Sequence, residues 1–539
     1  MRSESLFADR LALVVLAVVA IVAGISFRDY GLGWDDYTHS QYGNLLLKLY
    51  GSGFADRRAL SFVNLYMYGG GFDMAAALAA KVLPFGLFET RRLIGAAIGI
   101  AGLFATWRLA RRLGGPIAGL CALALLATCP LYYGHMFMNA KDAPFAVAMI
   151  VLLLAMVRAI DEYPRPSPRT MVLVGVALGV AFGSRILAVV AAPCLAAGLT
   201  LIVAEDIQML SPREARARLG KFVWTLLPAL PIAYLIMGLL WPWSILSPLN
   251  PLSAAKYFDT FFEKPWKELY QGMLVSVPDM PASYVPQLFV LTLPEIMLAL
   301  GLMGGIGALA ASLYRGIARR DIALSKRAGL LIVTLSAILP IAIAMVTRPA
   351  LYNGLRHFIF FAPPFAVLGG LAAAWLVTRA RGKAALGALA VVFIGGVTLP
   401  VIDMVRLHPY QYTAFNWASG GVRMAQHNYM LDYWGLAFKQ AANELRSRLE
   451  AAAEKPPQGR RWVVAICGPQ SSAREALGLQ FETTFDEKKA DFAMALGTYY
   501  CQYLQAPIMA TVEREGVIYA RVYDFRGRAG EKLLTEPPN

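Results

Sequence analysis

Residues 27–43 read FRDYGLGWDDYTHSQYG, and the reading of this stretch decides the fold. An apolar run, residues 11–27, stands immediately before it. About 17 apolar residues are just enough for a helix to cross a bilayer. Asp35 and Asp36 therefore leave the membrane at one end of a first span, beside Trp34 and Tyr37. Two adjacent carboxylates repel, which raises one pKa and favours a basic partner, a metal or an acceptor proton. One of them could instead cap a helix beginning at Thr38.

The rest of the chain fits a protein that crosses a membrane many times. Of its 539 residues 58% are hydrophobic and only 16% charged, with a mean hydropathy of +0.52. That composition excludes an ordinary soluble domain. The net charge of +15 could suggest nucleic acid, but the basic residues sit in short loops between apolar runs, as the positive-inside bias requires. These loops are RLARRLGG (108–115), RAIDEYPRPSPR (158–169), SPREARARLGK (211–221), YRGIARRDIALSKR (314–327) and TRARGK (378–383). All are expected to face the cytoplasm. The segment before the first run has no small-residue cleavage site and reads as an uncleaved signal anchor.

Apolar runs follow near 92–110, 115–134, 143–160, 170–183, 186–203, 222–241, 287–314, 328–346, 357–378 and 384–402. Basic loops flank residues 170–204 on both sides, so an even number of crossings is required there, and two short spans meeting near Arg185 satisfy it. The expectation is eleven spans, with the N-terminus inside and the C-terminus outside, in a bacterial inner membrane. A transmembrane module (1–403) is followed by a polar C-terminal α/β domain (404–539). In the first external loop, THSQYGNLLLKLYG and FDMAAALAAKVLPFG suit helices lying in the interface. In the polar domain, the stretch from Leu431 to Lys455 has helical apolar spacing, and RWVVAIC, DFAMALG and VIYARVYDF read as strands. Cys467 and Cys501 fall in this domain; a disulfide and two buried thiols are both open readings.

Three further groups of residues could carry chemistry. In HMFMNAKDAPF, His135, Asn139 and Asp142 share one face if helical, with Lys141 beside them. Asp142 before Ala-Pro is equally a good helix start. Arg185, at the outer turn of the short hairpin, is costly at such a depth and functional by default, unless it only snorkels. In RPALYNGLRHFIFFAPPF, Arg356 and His357 follow Tyr352 at the entrance of a span, a place suited to phosphate or to plain interfacial anchoring. No Walker loop, GxSxG or HExxH occurs, so energy must come from a pre-activated donor or an ion gradient.

Four stretches, WDDYTHSQYG, HMFMNAKDAPFA, YVPQLFVLTLPE and YNGLRHFIFFAPPFAVL, make the chain resemble the GT-C superfamily of polyprenyl-phosphate-sugar-dependent glycosyltransferases. It is most similar to the branch with bacterial protein O-mannosyltransferases and the lipid A aminoarabinose transferase. The likeness covers roughly residues 5–440. The family often has Asp-Glu where this chain has Asp35-Asp36. The resemblance implies that Asp35 is the catalytic base and Asp36 the second acidic residue. It further implies that Lys141, Arg185, Arg356 and His357 hold the phosphate of a lipid-linked sugar donor, and that His135, Asn139, Asp142 and Tyr352 line the site. The acceptor would be a lipid, glycan or protein. No organic cofactor is expected; a divalent metal, if used, would look to Asp35, Asp36 and His135. The rival readings are a secondary transporter or flippase of an envelope lipid or glycan, which predicts mid-membrane charges and repeats, and a non-catalytic assembly protein.

Overall fold

The computed structural model describes residues 2–259, 266–313, 322–501 and 503–528. Most of the basic loop 314–327 lies outside the described residues. Among them, nine helices are long and apolar enough to cross a membrane: Leu6–Ser26, Leu87–Gly114, Asp142–Asp161, Ile186–Met209, Pro212–Leu240, Glu295–Leu313, Leu324–Thr347, Arg356–Arg379 and Gly382–Arg406. A bent pair, Pro116–Ala127 and Pro130–Met138, makes a tenth if taken as one span. Each of the eleven apolar runs is thus helical, but Pro168–Ser184 has only 17 residues. At 1.5 Å per residue this gives about 26 Å, short of the ~30 Å hydrocarbon core. The run 287–314 also divides, into Tyr284–Thr292 and Glu295–Leu313. Pro294 stands at the break, and the residue before a proline is pushed out of the helical region.

Local chemistry explains the elements that shape the site. The bent pair turns by 63° at Cys129, which is extended (φ −87, ψ 109) before Pro130. Its second half ends at Met138, so Asn139–Lys141 forms a sharp corner before the helix from Asp142. Pro168–Ser184 meets the 3₁₀ turn Ile186–Val190 at Arg185, the expected hairpin corner. Small residues let that helix lie close on Ala229–Leu240: a Cβ at Gly179 would stand 2.7 Å from the carbonyl oxygen of Ala233, the close approach that membrane helices use in place of hydrophobic drive.

Two helices outside the spans occupy the first loop, Asp36–Gly51 and Gly71–Ala79, where interfacial helices were expected. The loop after residue 241 contains a hairpin the sequence did not suggest. Its strands are β1 (Lys267–Tyr270) and β2 (Met273–Ser276), joined through Gln271 and Gly272, both at positive φ.

Beyond Arg406 the chain turns polar and builds one five-stranded sheet. Its strands are β3 (Trp462–Cys467), β4 (Phe481–Thr484), β5 (Phe492–Leu496), β6 (Ile508–Arg514) and β7 (Val517–Asp524), in the order β4-β3-β5-β7-β6. β3 is parallel to β4 and β5; β7 is antiparallel to β5 and β6. The predicted strands are β3, β5 and β7. The two flanking strands were missed because β4 (FETT) and β6 (IMATVER) are sheet edges, half polar and without the continuous apolar run of β3 and β5. The helix Phe438–Ala451 covers the sheet with Phe438, Ala441, Ala442, Leu445 and Leu449 buried. Cys467, at the end of β3, is disulfide-bonded to Cys501, which resolves the open pairing.

Candidate active site

Asp35 and Asp36 are adjacent but do different things. The segment Tyr30–Trp34 runs against residues 434–436: the Trp34 N–H donates to the Trp434 carbonyl at 3.1 Å, and Ser472 Oγ donates to the Gly33 carbonyl at 2.9 Å. Gly33 has no alternative here, since a Cβ would fall 1.5 Å from the Trp434 ring. Asp36 then starts the helix from inside the protein. Its carboxylate accepts the Gly33 N–H at 2.7 Å and two Arg92 N–H groups at 2.9 and 2.5 Å. Arg92 also donates to the Gly31 carbonyl at 2.5 Å. Arg91 lies 3.9 Å from Asp36 and 2.7 Å from Asp73, and Asp73 meets His39 Nδ1 at 2.6 Å. All five side chains are buried. Burial alone would raise the Asp73 pKa, but His39 and Arg91 outweigh it and hold it low.

Asp35 stands on this platform with 37% of its side chain exposed. Lys141 Nζ lies 3.3 Å from its carboxylate and Arg356 Nη1 3.9 Å. Burial works to raise the Asp35 pKa; the Lys141 and Arg356 charges oppose it and hold it well below the usual carboxylate range. Arg356 is clamped between two rings, with Cζ 4.5 Å from the Tyr352 centroid and 4.7 Å from that of Trp434. Its Nε is buried without a partner. Lys141 lies 4.9 Å and Arg185 5.6 Å from the Tyr68 ring centre, so one aromatic face carries two cations.

The corner after Met138 orients the cations around Asp35. Asn139 Oδ1 accepts the Lys141 and Asp142 backbone N–H groups at 3.1 and 2.8 Å, which fixes the direction of Lys141. Its Nδ2 donates to Asp142 at 2.9 Å, and Asp142 pairs with Arg185 at 2.6 Å. His135 is fully buried, with Nε2 3.0 Å from Tyr433 Oη and Nδ1 3.2 Å from Asn139 Nδ2. His357 stacks edge-on to Tyr352, centroids 5.1 Å apart, and its Nδ1 has no partner.

The structure therefore gathers Asp35, Lys141, Arg185, Arg356, Tyr352 and His357 in one connected cluster, with Asn139 and Asp142 orienting two of the cations. His135 and Asp36 are placed behind it, as supports. The trio considered for a metal does not fit one. Both oxygens of Asp36 are engaged by Arg92 and Gly33, both ring nitrogens of His135 are hydrogen-bonded, and among the described residues no three His, Cys, Asp or Glu side chains converge.

Several contributors escaped the sequence reading. Arg91 and Arg92 could have been found: two arginines at the end of a span opposite the basic loops break the positive-inside pattern, and such charges need buried partners. Tyr68 and Trp434 carried no distinguishing mark. Nor did Glu268 on β1, which is 2% exposed. One of its oxygens accepts the Asn353 N–H at 3.2 Å and the other has no partner. It borders a cavity of about 30 Å³ lined also by Tyr284, Tyr412 and Tyr433. Burial pushes its pKa up to about 8 against the pull of the Asn353 N–H and Arg356.

Comparison with known proteins adds a likeness over part of the chain. Residues 72–240 match the family model of dolichyl-phosphate-mannose-protein mannosyltransferase. The matched stretch holds Arg91, Arg92, His135, Asn139, Lys141, Asp142 and Arg185, but neither Asp35 nor Arg356. No curated protein matches the chain. Among solved structures, ArnT from Cupriavidus metallidurans bound to undecaprenyl phosphate is 15% identical, with 96% of this chain and 99% of that one covered at a TM-score of 0.49. The oligosaccharyltransferase AglB from Archaeoglobus fulgidus, in complex with an inhibitory peptide and a dolichol-phosphate, is 12% identical, with 91% and 70% covered at a TM-score of 0.48. The chain is a multi-pass helical membrane protein that is similar over residues 72–240 to the dolichyl-phosphate-mannose-protein mannosyltransferases, in keeping with the resemblance its motifs carry.

Proposed function

We propose that this protein is a membrane glycosyltransferase that moves a sugar from a polyprenyl-phosphate donor to an acceptor hydroxyl, with inversion at the anomeric carbon. The observation that carries this reading is Asp35: a partly open carboxylate with Lys141 and Arg356 on it and Arg185 nearby. The family matched over residues 72–240 is itself named for a polyprenol-phosphate sugar donor.

In this reading the donor phosphate meets Lys141, Arg185 and Arg356. A guanidinium held between two rings keeps its fork fixed for a phosphate, and charge-assisted bonds of this kind are the strong ones. The same event switches on the base. With no donor, Lys141 and Arg356 hold the Asp35 carboxylate at low basicity. When a phosphate takes those cations, Asp35 loses their stabilisation and becomes a better proton acceptor. The acceptor oxygen then bonds to the anomeric carbon as the bond from that carbon to the phosphate oxygen breaks. The phosphate leaves with the electron pair, its charge spread over the cations, and the acceptor proton passes to Asp35. Asp36 keeps its carboxylate on Arg92 throughout.

We place the site on the periplasmic face of a bacterial inner membrane, with residues 1–403 as the catalytic module and 404–539 as an external domain. The basic loops at 108–115, 158–169, 211–221 and 378–383 support this orientation. The test is Asp35→Asn, purified and supplied with polyprenyl-phosphate sugar from the host membrane. Loss of a general base is expected to slow transfer by about 100- to 10,000-fold while donor retention persists. Transfer at a normal rate by a folded Asp35→Asn protein would reject the mechanism. A flippase would move lipid across vesicles without any transfer of sugar.

A further inference from the structure

We propose that the groove at the far end of helix Asp36–Gly51 is a binding site for the phosphate-bearing headgroup of an anionic phospholipid, held between Lys48 and Lys81. The groove measures about 730 Å³ and is lined by Asn44, Leu47, Lys48, Ser52, Asp56 and Lys81, among others. It lies well away from the catalytic cluster. Twelve residues of helix separate Lys48 from Asp36, about 18 Å at the α-helical rise.

Three observations point to the ligand. The first is an excess of positive charge, Lys48 and Lys81 against Asp56, whose carboxylate feels Lys48 as well as Arg58. Lys48 and Lys81 are exposed, and among the described residues no carboxylate lies within ion-pairing distance of either. The single acid in the groove is already satisfied: Asp56 accepts Nη2 and Nε of Arg58 at 2.6 and 2.9 Å and its backbone N–H at 3.2 Å. The groove therefore carries a net positive charge.

The second is the apolar company of the lysines. Phe54 is 53% exposed, Leu78 55% and Val82 80%, and they follow or precede the groove residues by one to three positions. The groove is lined by the last turns of the 16-residue helix Asp36–Gly51, by Ser52 and Asp56 after it, and by Lys81 just past the 9-residue helix Gly71–Ala79; both helices are too short to span. A cationic face next to protruding apolar side chains is the pattern of an interfacial element on an anionic surface.

The third is size. A free phosphate ion would satisfy the two ammonium groups but leave most of the groove, and Phe54, Leu78 and Val82, in water. A volume in the range of ordinary small-molecule sites fits a glycerophosphate headgroup whose acyl chains pass the apolar rim. One molecule that is anionic at its head and apolar in its tail accounts for all three features.

The test needs no turnover, so its outcome does not depend on the glycosyltransferase reading. Purified full-length protein in detergent is incubated with equimolar phosphatidylglycerol and phosphatidylcholine, and retained lipid is counted by native mass spectrometry. The wild type is expected to retain phosphatidylglycerol preferentially. Each lysine near a membrane surface contributes about fivefold to the attraction of an anionic lipid, so Lys48→Gln with Lys81→Gln should reduce the preference by roughly 25-fold. Lys48→Arg with Lys81→Arg should preserve it, and millimolar inorganic phosphate should not displace the lipid. Equal retention of the two lipids by the wild type, an unchanged preference in the double glutamine variant, or displacement by inorganic phosphate would each overturn the proposal.

Discussion

At Asp35 and Asp36, one peptide bond separates a carboxylate available for chemistry from one committed to structure. The difference lies in what each faces. Asp36 points inward to Arg92, and both are at most 3% exposed; Asp35 keeps 37% of its side chain exposed. Removing one partner of a buried ion pair leaves the other charge uncompensated and costs about 3–5 kcal/mol. Asp36→Ala is therefore expected to lower the thermal midpoint strongly and to reduce the folded yield, whereas Asp35→Asn should melt close to the wild type. Melting curves of the two variants in the same detergent decide this; equal midpoints would show that Arg92 does not depend on Asp36. The sequence made the acidic pair conspicuous, because two carboxylates at the end of an apolar run are rare. It could not assign their roles, since the deciding partner is 56 residues away and only the fold brings it near.

Among the elements, the hairpin β1–β2 gives the most information that was hidden from the sequence. Four-residue strands have too few alternations to register as a pattern. Yet the hairpin presents Glu268 to the backbone of Asn353, between Tyr352 and Arg356, and meets the C-terminal domain through the Tyr499 hydroxyl on the Lys267 carbonyl. Glu268 faces Arg356, Tyr284, Tyr433, Tyr499 and Tyr500. Its pKa rises on folding from an ordinary 4.5 to about 8, so between these values the unfolded chain has released the proton that the folded one retains. Stability must fall as pH rises through that window and level off above it. Glu268→Gln, which imitates the protonated group, is expected to flatten the decline. Thermal midpoints of both proteins from pH 5 to pH 9 measure it, and parallel curves would show that another group sets the slope.

On the scale of the whole molecule, the helical runs were legible because lipid demands long apolar segments with internally satisfied backbones. Two of their boundaries were not, because Pro130 and Pro294 break helices inside runs that remain apolar throughout. The orientation belongs to this scale too. Arg111 pairs with Asp9 and Arg112 with Asp161, at the ends of their helices away from Asp35, where the basic loops lie. Alkaline phosphatase fused after the C-terminal domain should therefore be active in a bacterial host and a cytoplasmic reporter at the same point silent. The reverse pattern would invert the topology.

The packing of Gly33 and Arg356 against Trp434 also has a consequence in time. Asp35 is translated and threaded into the membrane long before Trp434 exists. At about 5–20 residues per second, the roughly 400 residues between them take about 20–80 s to synthesise. During that interval the glycine segment ahead of Asp35 lacks the surface it lies on, and Arg356, once made, lacks one of the two rings that clamp it until Trp434 follows. The surroundings of Asp35 are thus completed only after the membrane helices, by a later part of the chain closing over its beginning. A ribosome stalled between Arg406 and Trp434 would therefore leave the membrane helices made and the surroundings of Asp35 unfinished.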